Sequence, residues 1–130
     1  MFIQQDWLMR QIEMIISAII RLFFGKDGQG SGWEEALRQT RAAELKEELA
    51  GLLDEKQLGK AEDLLFQSLD PEDGSILAVA VDFYQRANAM TDQELEAQGF
   101  TREELLEGLG QAVERYGVYL PGLWDRPPES

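Results

Sequence analysis

The chain has 130 residues, of which 44% are hydrophobic, and this is enough to bury the core of one domain. Its formal net charge of −13 repels nucleic-acid phosphates, so the composition argues against DNA or RNA as a partner. The chain contains neither cysteine nor histidine, which excludes disulfides, zinc–thiolate sites, iron–sulfur clusters and catalysis by a thiol or an imidazole. We therefore expect a protein that is not an enzyme and that holds no cofactor or metal.

The first predicted element is a long apolar helix within residues 1–26. From residue 6 to residue 24 the hydrophobic side chains recur every three or four positions, which is the spacing of one helical face. That face comprises Leu8, Ile12, Ile15, Ile16, Ile19, Leu22 and Phe23. Residues 1–26 carry three basic and two acidic side chains, a balance of +1, which leaves −14 for residues 27–130. The first segment is therefore chemically distinct from the rest of the chain.

The apolar segment has the pattern of neither a membrane span nor a signal peptide. A transmembrane helix needs about 20 consecutive apolar residues, and Arg10, Glu13 and Arg21 interrupt this run. A signal peptide begins with basic residues and ends in small residues at a cleavage site. Here Asp6 lies near the start and Arg21 lies inside the apolar run. We expect a mature protein that resides in the cytoplasm.

A glycine-rich stretch at residues 27–32 is predicted to be a flexible linker between the first helix and a core domain at residues 33–117. Ser31 and Glu34 have the spacing of a capping box, in which a serine and a glutamate each accept a hydrogen bond from the other's amide. This pattern predicts a second helix that begins near residue 33 and runs to about residue 53.

A third and a fourth helix follow within the core domain. The third ends before Pro71, because proline disfavours a helical conformation in the residue that precedes it. The fourth extends from about residue 73 to Met90 and is apolar on most sides, which is typical of the most buried helix of a domain. We therefore expect the fourth helix to form the centre of the core.

Two further capping boxes mark the starts of the last two helices. Thr91 is followed three positions later by Glu94, and Thr101 is followed three positions later by Glu104. Residues 118–130 contain three prolines and are predicted to form an extended or disordered tail. These elements together predict an all-α fold of about six helices.

Two resemblances add to these predictions. Residues 49–71 resemble a degenerate tetratricopeptide unit, in which the small Ala61 would lie where two helices approach closely. Most of the chain resembles a family of uncharacterised short helical proteins from Gram-positive bacteria. The stretches that carry this resemblance are residues 5–26, 61–66, 80–84 and 95–108. The resemblances imply antiparallel helical hairpins of tetratricopeptide-like type, and they imply no catalytic site.

Acidic residues are the remaining candidates for chemistry. Glu103, Glu104 and Glu107 lie in the predicted first turns of a helix, where carboxylates complement the helix dipole. Asp82 lies four residues before Arg86 in the apolar fourth helix, a spacing that permits an ion pair. We interpret both groups as structural, and the number of acidic residues alone gives a third hypothesis, a carboxylate-dependent hydrolase or metal site.

The functional hypothesis depends on the first helix. Its apolar face is broader than a surface helix needs, so it either completes the core of its own chain or stays partly exposed and joins another chain. We predict a helical interaction module that self-associates, for example as a homodimer, or binds a protein partner through this helix and a groove between helices. The alternative is a peripheral membrane protein anchored by the same helix, although Arg10 and Arg21 provide few of the basic residues that membrane-surface helices carry.

Overall fold

The computed structural model describes residues 2–25 and 31–118 of the chain. This part of the chain contains seven α-helices and no strand, which confirms the predicted all-α fold. The helices are α1 (Phe2–Phe24), α2 (Ser31–Leu37), α3 (Thr40–Asp54), α4 (Leu58–Ser68), α5 (Gly74–Asn88), α6 (Asp92–Ala97) and α7 (Arg102–Glu114). Residues 27–30 of the predicted linker and residues 119–130 of the predicted tail lie outside the described residues.

The predicted second helix is divided into α2 and α3 by a turn at residues 38–39, and this accounts for the additional helix. In an unbroken helix, the half-buried Leu37 would share a face with the exposed Arg41, because these positions are four residues apart. The turn separates the two faces: Leu37 of α2 packs against the core, and α3 buries Ala42, Leu45 and Leu49 while Arg41 stays exposed. The turn thus lets α2 and α3 bury different faces against the core.

A tight turn centred on Lys56 joins α3 to α4 in a hairpin. Lys56 has a φ of 59°, the left-handed conformation that glycine usually provides at the end of a helix. Its amide donates to the carbonyl of Leu53 at 3.0 Å, and the next amide, that of Gln57, donates to the carbonyl of Leu52 at 2.9 Å. These bonds satisfy the last carbonyls of α3 and set the direction in which α4 leaves the turn.

Both capping boxes predicted before the last two helices are confirmed. The Thr91 side chain accepts from the Glu94 amide while the Glu94 carboxylate accepts from the Thr91 amide. Thr101 and Glu104 form the same pair of bonds at the start of α7. The side chain of Ser31 lies outside the described residues, so the capping box at the start of α2 stays a prediction.

The centre of the fold is α5, as its sequence predicts. Eleven of its 15 residues are buried, and it packs against α1, α2, α3, α4 and α7. The indole N–H of Trp33 in α2 donates to the carbonyl of Ala78 at 3.0 Å. Phe83 and Tyr84 pack edge to face, with their ring centroids 4.9 Å apart. The hydrophobic side chains of the surrounding helices therefore form one continuous core around α5.

A buried arginine connects the ends of several helices around α5. Arg102 is 3% exposed, and its guanidinium donates to the carbonyls of Asn88 and Met90, both at 2.7 Å. The same guanidinium donates to the side-chain oxygen of Asn88 and to the Asp92 carboxylate, both at 2.9 Å. The Asn88 side-chain amide donates in turn to the carbonyl of Met9 in α1 at 3.1 Å. This network therefore ties α1, α5, α6 and α7 together.

We predict that Arg102→Ala lowers the free energy of unfolding by about 3–4 kcal/mol, because the backbone carbonyls of Asn88 and Met90 lose their donor. Urea unfolding followed by circular dichroism measures the change. The control is Arg10→Ala, which removes an exposed guanidinium paired with the exposed Asp6 and is expected to cost less than about 1 kcal/mol. Equal losses in the two variants would contradict the role assigned to the Arg102 network.

Candidate functional site

The interaction residues predicted in α1 fall into two groups. Five of them are at most 4% exposed and belong to the core of their own chain: Leu8, Ile12, Ile15, Ile16 and Ile19. In contrast, Leu22 is 64% exposed and Phe23 is half-buried. The first helix therefore packs within its own chain, and two of the seven predicted residues remain at the surface. No described helix, α1 included, is long and apolar enough to cross a membrane.

A groove between α4 and α7 is the strongest candidate site for a partner. Both helices pack against α5, and the space left between them has a volume of about 380 Å³. The residues that line it are Glu62, Asp63, Phe66, Phe100, Glu104, Glu107, Gly108 and Gln111. Carboxylates thus stand on both walls, and α4 and α7 each supply two of them.

A hydrogen bond joins one of the groove residues, Glu62, to the buried phenol of Tyr84. The Tyr84 hydroxyl donates to the Glu62 carboxylate at 2.5 Å. Gly108 of α7 lies against this pair, and a methyl group at that position would overlap both the hydroxyl and the carboxylate. The close approach of α7 to the Tyr84–Glu62 pair therefore depends on glycine at position 108.

The groove is strongly negative, since four of its lining residues are acidic and none is basic. Burial raises the pKa of the Glu62 carboxyl above its usual value, although the hydrogen bond from Tyr84 opposes the shift. The charges of Asp63 and Glu104 add to the rise. Burial, followed by the neighbouring charge of Glu62, also raises the pKa of the Tyr84 hydroxyl. A positive group in the groove would relieve this repulsion and favour the ionised carboxylate.

Two aromatic rings add apolar surface to the groove. Phe66 comes from α4 and Phe100 from the segment just before α7. The guanidinium of Arg115 lies over the Phe66 ring at 5.4 Å from its centroid. An arginine of this chain therefore already makes a cation–π contact with one of the groove residues.

A smaller hollow of about 250 Å³ lies where α6 meets the turn between α3 and α4. Leu53, Lys56, Met90 and Gln98 are among its lining residues. The side-chain oxygen of Gln98 accepts a hydrogen bond from the amide of Leu58, the first residue of α4, at 2.9 Å. The Gln98 side chain thus supports the start of α4.

The sequence predicted a groove between helices, and its candidate acidic residues Glu104 and Glu107 line this groove, but it did not identify α4 and α7 as the walls. It correctly placed Asp82 and Arg86 in an ion pair, which the structure shows at 3.0 Å. Among the described residues, no group of three or more acidic side chains is arranged to hold a metal ion. One residue that could have indicated the groove is Gly108. A glycine inside a helix lowers helix stability by about 1 kcal/mol relative to alanine, and it often marks a position where another group approaches the helix closely.

Comparison with known proteins gives a family assignment. The model of a family of unknown function, DUF6483, matches residues 2–117, and the chain belongs to that family. No curated protein and no solved structure matches the chain. The family match confirms that the chain belongs to an uncharacterised family, as the sequence resemblance implied.

We predict that Gly108→Ala lowers the free energy of unfolding by about 1–3 kcal/mol, because the new methyl group must displace the Tyr84–Glu62 pair or move α7. Urea unfolding measures the change. Gly51→Ala is the control, since Gly51 is an exposed position of α3 where a methyl group meets nothing within 4 Å. That variant should be more stable than the wild type by up to about 1 kcal/mol. Destabilisation of both variants would contradict the prediction.

The raised pKa of Glu62 predicts a pH dependence of stability. Between the usual carboxyl pKa of 4.5 and the raised value, the folded protein binds more protons at this site than the unfolded chain does. The contribution of Glu62 to the free energy of unfolding therefore falls as the pH rises through this window. Glu62→Gln removes this decrease of stability with pH, and the side-chain oxygen of the glutamine can still accept the Tyr84 hydrogen bond.

Urea unfolding at a series of pH values tests this expectation. Glu62→Gln should gain stability relative to the wild type as the pH rises above 4.5. Glu47→Gln, at an exposed position of α3, reports the general effect of removing one carboxylate. A stability difference for Glu62→Gln that is independent of pH would contradict the assigned shift.

Proposed function

We propose that this member of the DUF6483 family is a non-enzymatic helical interaction module, and that its α4–α7 groove binds a basic helix or tail of a partner protein. The observation that carries the proposal is the composition of the groove, which combines acidic side chains on both walls with two phenylalanine rings and no basic residue. A lysine- or arginine-rich segment complements this surface in charge. The non-enzymatic character is inferred from a chain without cysteine or histidine.

A basic side chain would find two kinds of contact in the groove. Its charged end would lie near the carboxylates of Asp63 and Glu107, and it would offset the repulsion around Glu62. Its methylene groups would cover the ring of Phe100, because long basic side chains pack their stems on apolar surface and Arg115 already lies over the Phe66 ring. A segment that presents basic residues on one helical face would use both contacts at once.

The hairpin of α3 and α4 supports the same proposal. Its sequence resembles a tetratricopeptide unit, and Ala61 of α4 is fully buried in the core. Repeat proteins of this class bind their partners on surfaces formed by neighbouring helices. In this chain α4 belongs both to the hairpin and to one wall of the groove.

The alternative function, a peripheral membrane protein anchored by α1, has less support. A helix that lies on a membrane inserts its apolar face into the lipid. In α1 that face is occupied by contacts with α5 and α7, and five of its large apolar side chains are buried. Membrane insertion would therefore require α1 to leave the core.

The proposed function is tested with two model peptides. One is an amphipathic helix of leucine and lysine with all lysines on one face, and the other carries glutamate in place of lysine. Binding to the full-length chain is measured by fluorescence anisotropy at low and high salt. We expect the lysine peptide to bind, with an affinity that falls as salt rises, and the glutamate peptide to show no binding. Equal binding of the two peptides would reject the proposal.

A pair of charge-reversed variants locates the binding surface. Asp63→Lys/Glu107→Lys reverses one charge on each wall and should weaken binding of the lysine peptide by at least about tenfold. Glu47→Lys/Glu48→Lys changes the net charge equally on the exposed face of α3 and should alter the affinity by less than about threefold. An equal loss in both variants would show general attraction to an acidic protein and would reject the groove as the site.

A further inference from the structure

α1 carries an apolar row on its exposed side in addition to the face that it buries. Met14 and Leu22 are 57% and 64% exposed, and they are the exposed large hydrophobic residues of the described chain. Ala18, which is half-buried, lies between them, four residues from each. Positions four apart form one inclined ridge on a helix, and such ridges are the surfaces through which helices pack against one another. The row from Met14 to Leu22 is therefore shaped to accept another helix.

The charge of α1 indicates which helix it accepts. Residues 2–24 contain two acidic and two basic side chains and are neutral, in a chain of net charge −13. Asp6 and Arg10 already form an ion pair at 2.9 Å. The helices α2, α3, α4, α6 and α7 each have a net negative charge, and α5 is buried at the centre. Two identical acidic chains therefore repel each other least when they approach through α1.

We infer that the outer row of α1 binds the same row of a second copy of this chain, antiparallel about a twofold axis at Ala18. In this arrangement Met14 faces Leu22 of the partner subunit, and Leu22 faces Met14 of the partner subunit. Each pair lies about 6 Å from the axis along the helix, since the rise is about 1.5 Å per residue. The small Ala18 at the crossing point lets the two helices approach closely. The same patch serves both subunits, as a twofold interface requires.

This inference is independent of the proposed function, because no residue of the α4–α7 groove belongs to α1. A chain that fails to dimerise can still bind the lysine peptide, and a dimer can form without peptide binding. A negative result in one experiment therefore does not decide the outcome of the other.

Sedimentation equilibrium of the full-length chain tests the dimer. We expect a concentration-dependent mass that approaches twice that of the 14.8 kDa chain. Met14→Glu/Leu22→Glu places like charges opposite each other and should weaken association by at least about tenfold. Gln67→Glu/Gln85→Glu adds the same charge at exposed positions of α4 and α5 and should leave association unchanged. Circular dichroism establishes that each variant is folded.

A charge-swapped variant tests the antiparallel arrangement. In Met14→Lys/Leu22→Glu, each lysine faces a glutamate of the partner subunit, so dimerisation should recover relative to the double glutamate variant. A parallel pair would instead oppose lysine to lysine, and association would stay lost. Ala18→Cys should form a disulfide-linked dimer under mild oxidation, because the wild-type chain has no cysteine and position 18 meets itself at the axis.

Three results would overturn the inference. One is a monomeric wild-type chain at every concentration up to about 1 mM. Another is equal dissociation by Met14→Glu/Leu22→Glu and by the Gln67→Glu/Gln85→Glu control. The third is a charge-swapped variant that associates no better than the double glutamate variant.

Discussion

The structure depends on the need to cover α5 on nearly all sides. Eleven of its residues are buried, and a helix with so much apolar surface is stable only when other helices enclose it. α1, α3 and α7 pack along it, and α2 adds the Trp33 hydrogen bond to its backbone. This requirement explains the broad apolar face of α1, because most of that face covers one side of α5.

The sequence predicted the features that depend on local chemistry. The capping boxes at Thr91 and Thr101, the central position of α5 and the Asp82–Arg86 ion pair all follow from residue types at fixed spacing. The sequence did not predict the break between α2 and α3, because the apolar residues of these two helices form one continuous helical pattern. The burial of α1 within its own chain could not be decided from its own sequence, since a broad apolar face fits contacts within or between chains equally well.

The sequence alone could not predict the position of the candidate groove, for a related reason. Its residues come from α4, the segment before α7, and α7, which are brought together only because α4 and α7 both pack on α5. Glu62 and Tyr84 are 22 residues apart and meet in a hydrogen bond that no local pattern indicates. The acidic groove and the neutral outer face of α1 therefore give one small domain two surfaces of different chemistry.

The position of α1 in the chain has a consequence for biosynthesis. The Asn88 side chain binds the backbone of Met9, a residue 79 positions earlier, and α1 packs on α5 and α7. During translation α1 leaves the ribosome long before these helices exist, so its isoleucine-rich face stays exposed to water for most of synthesis. Contacts between such distant residues also slow folding. The burial of this face is therefore completed only after α7 has emerged.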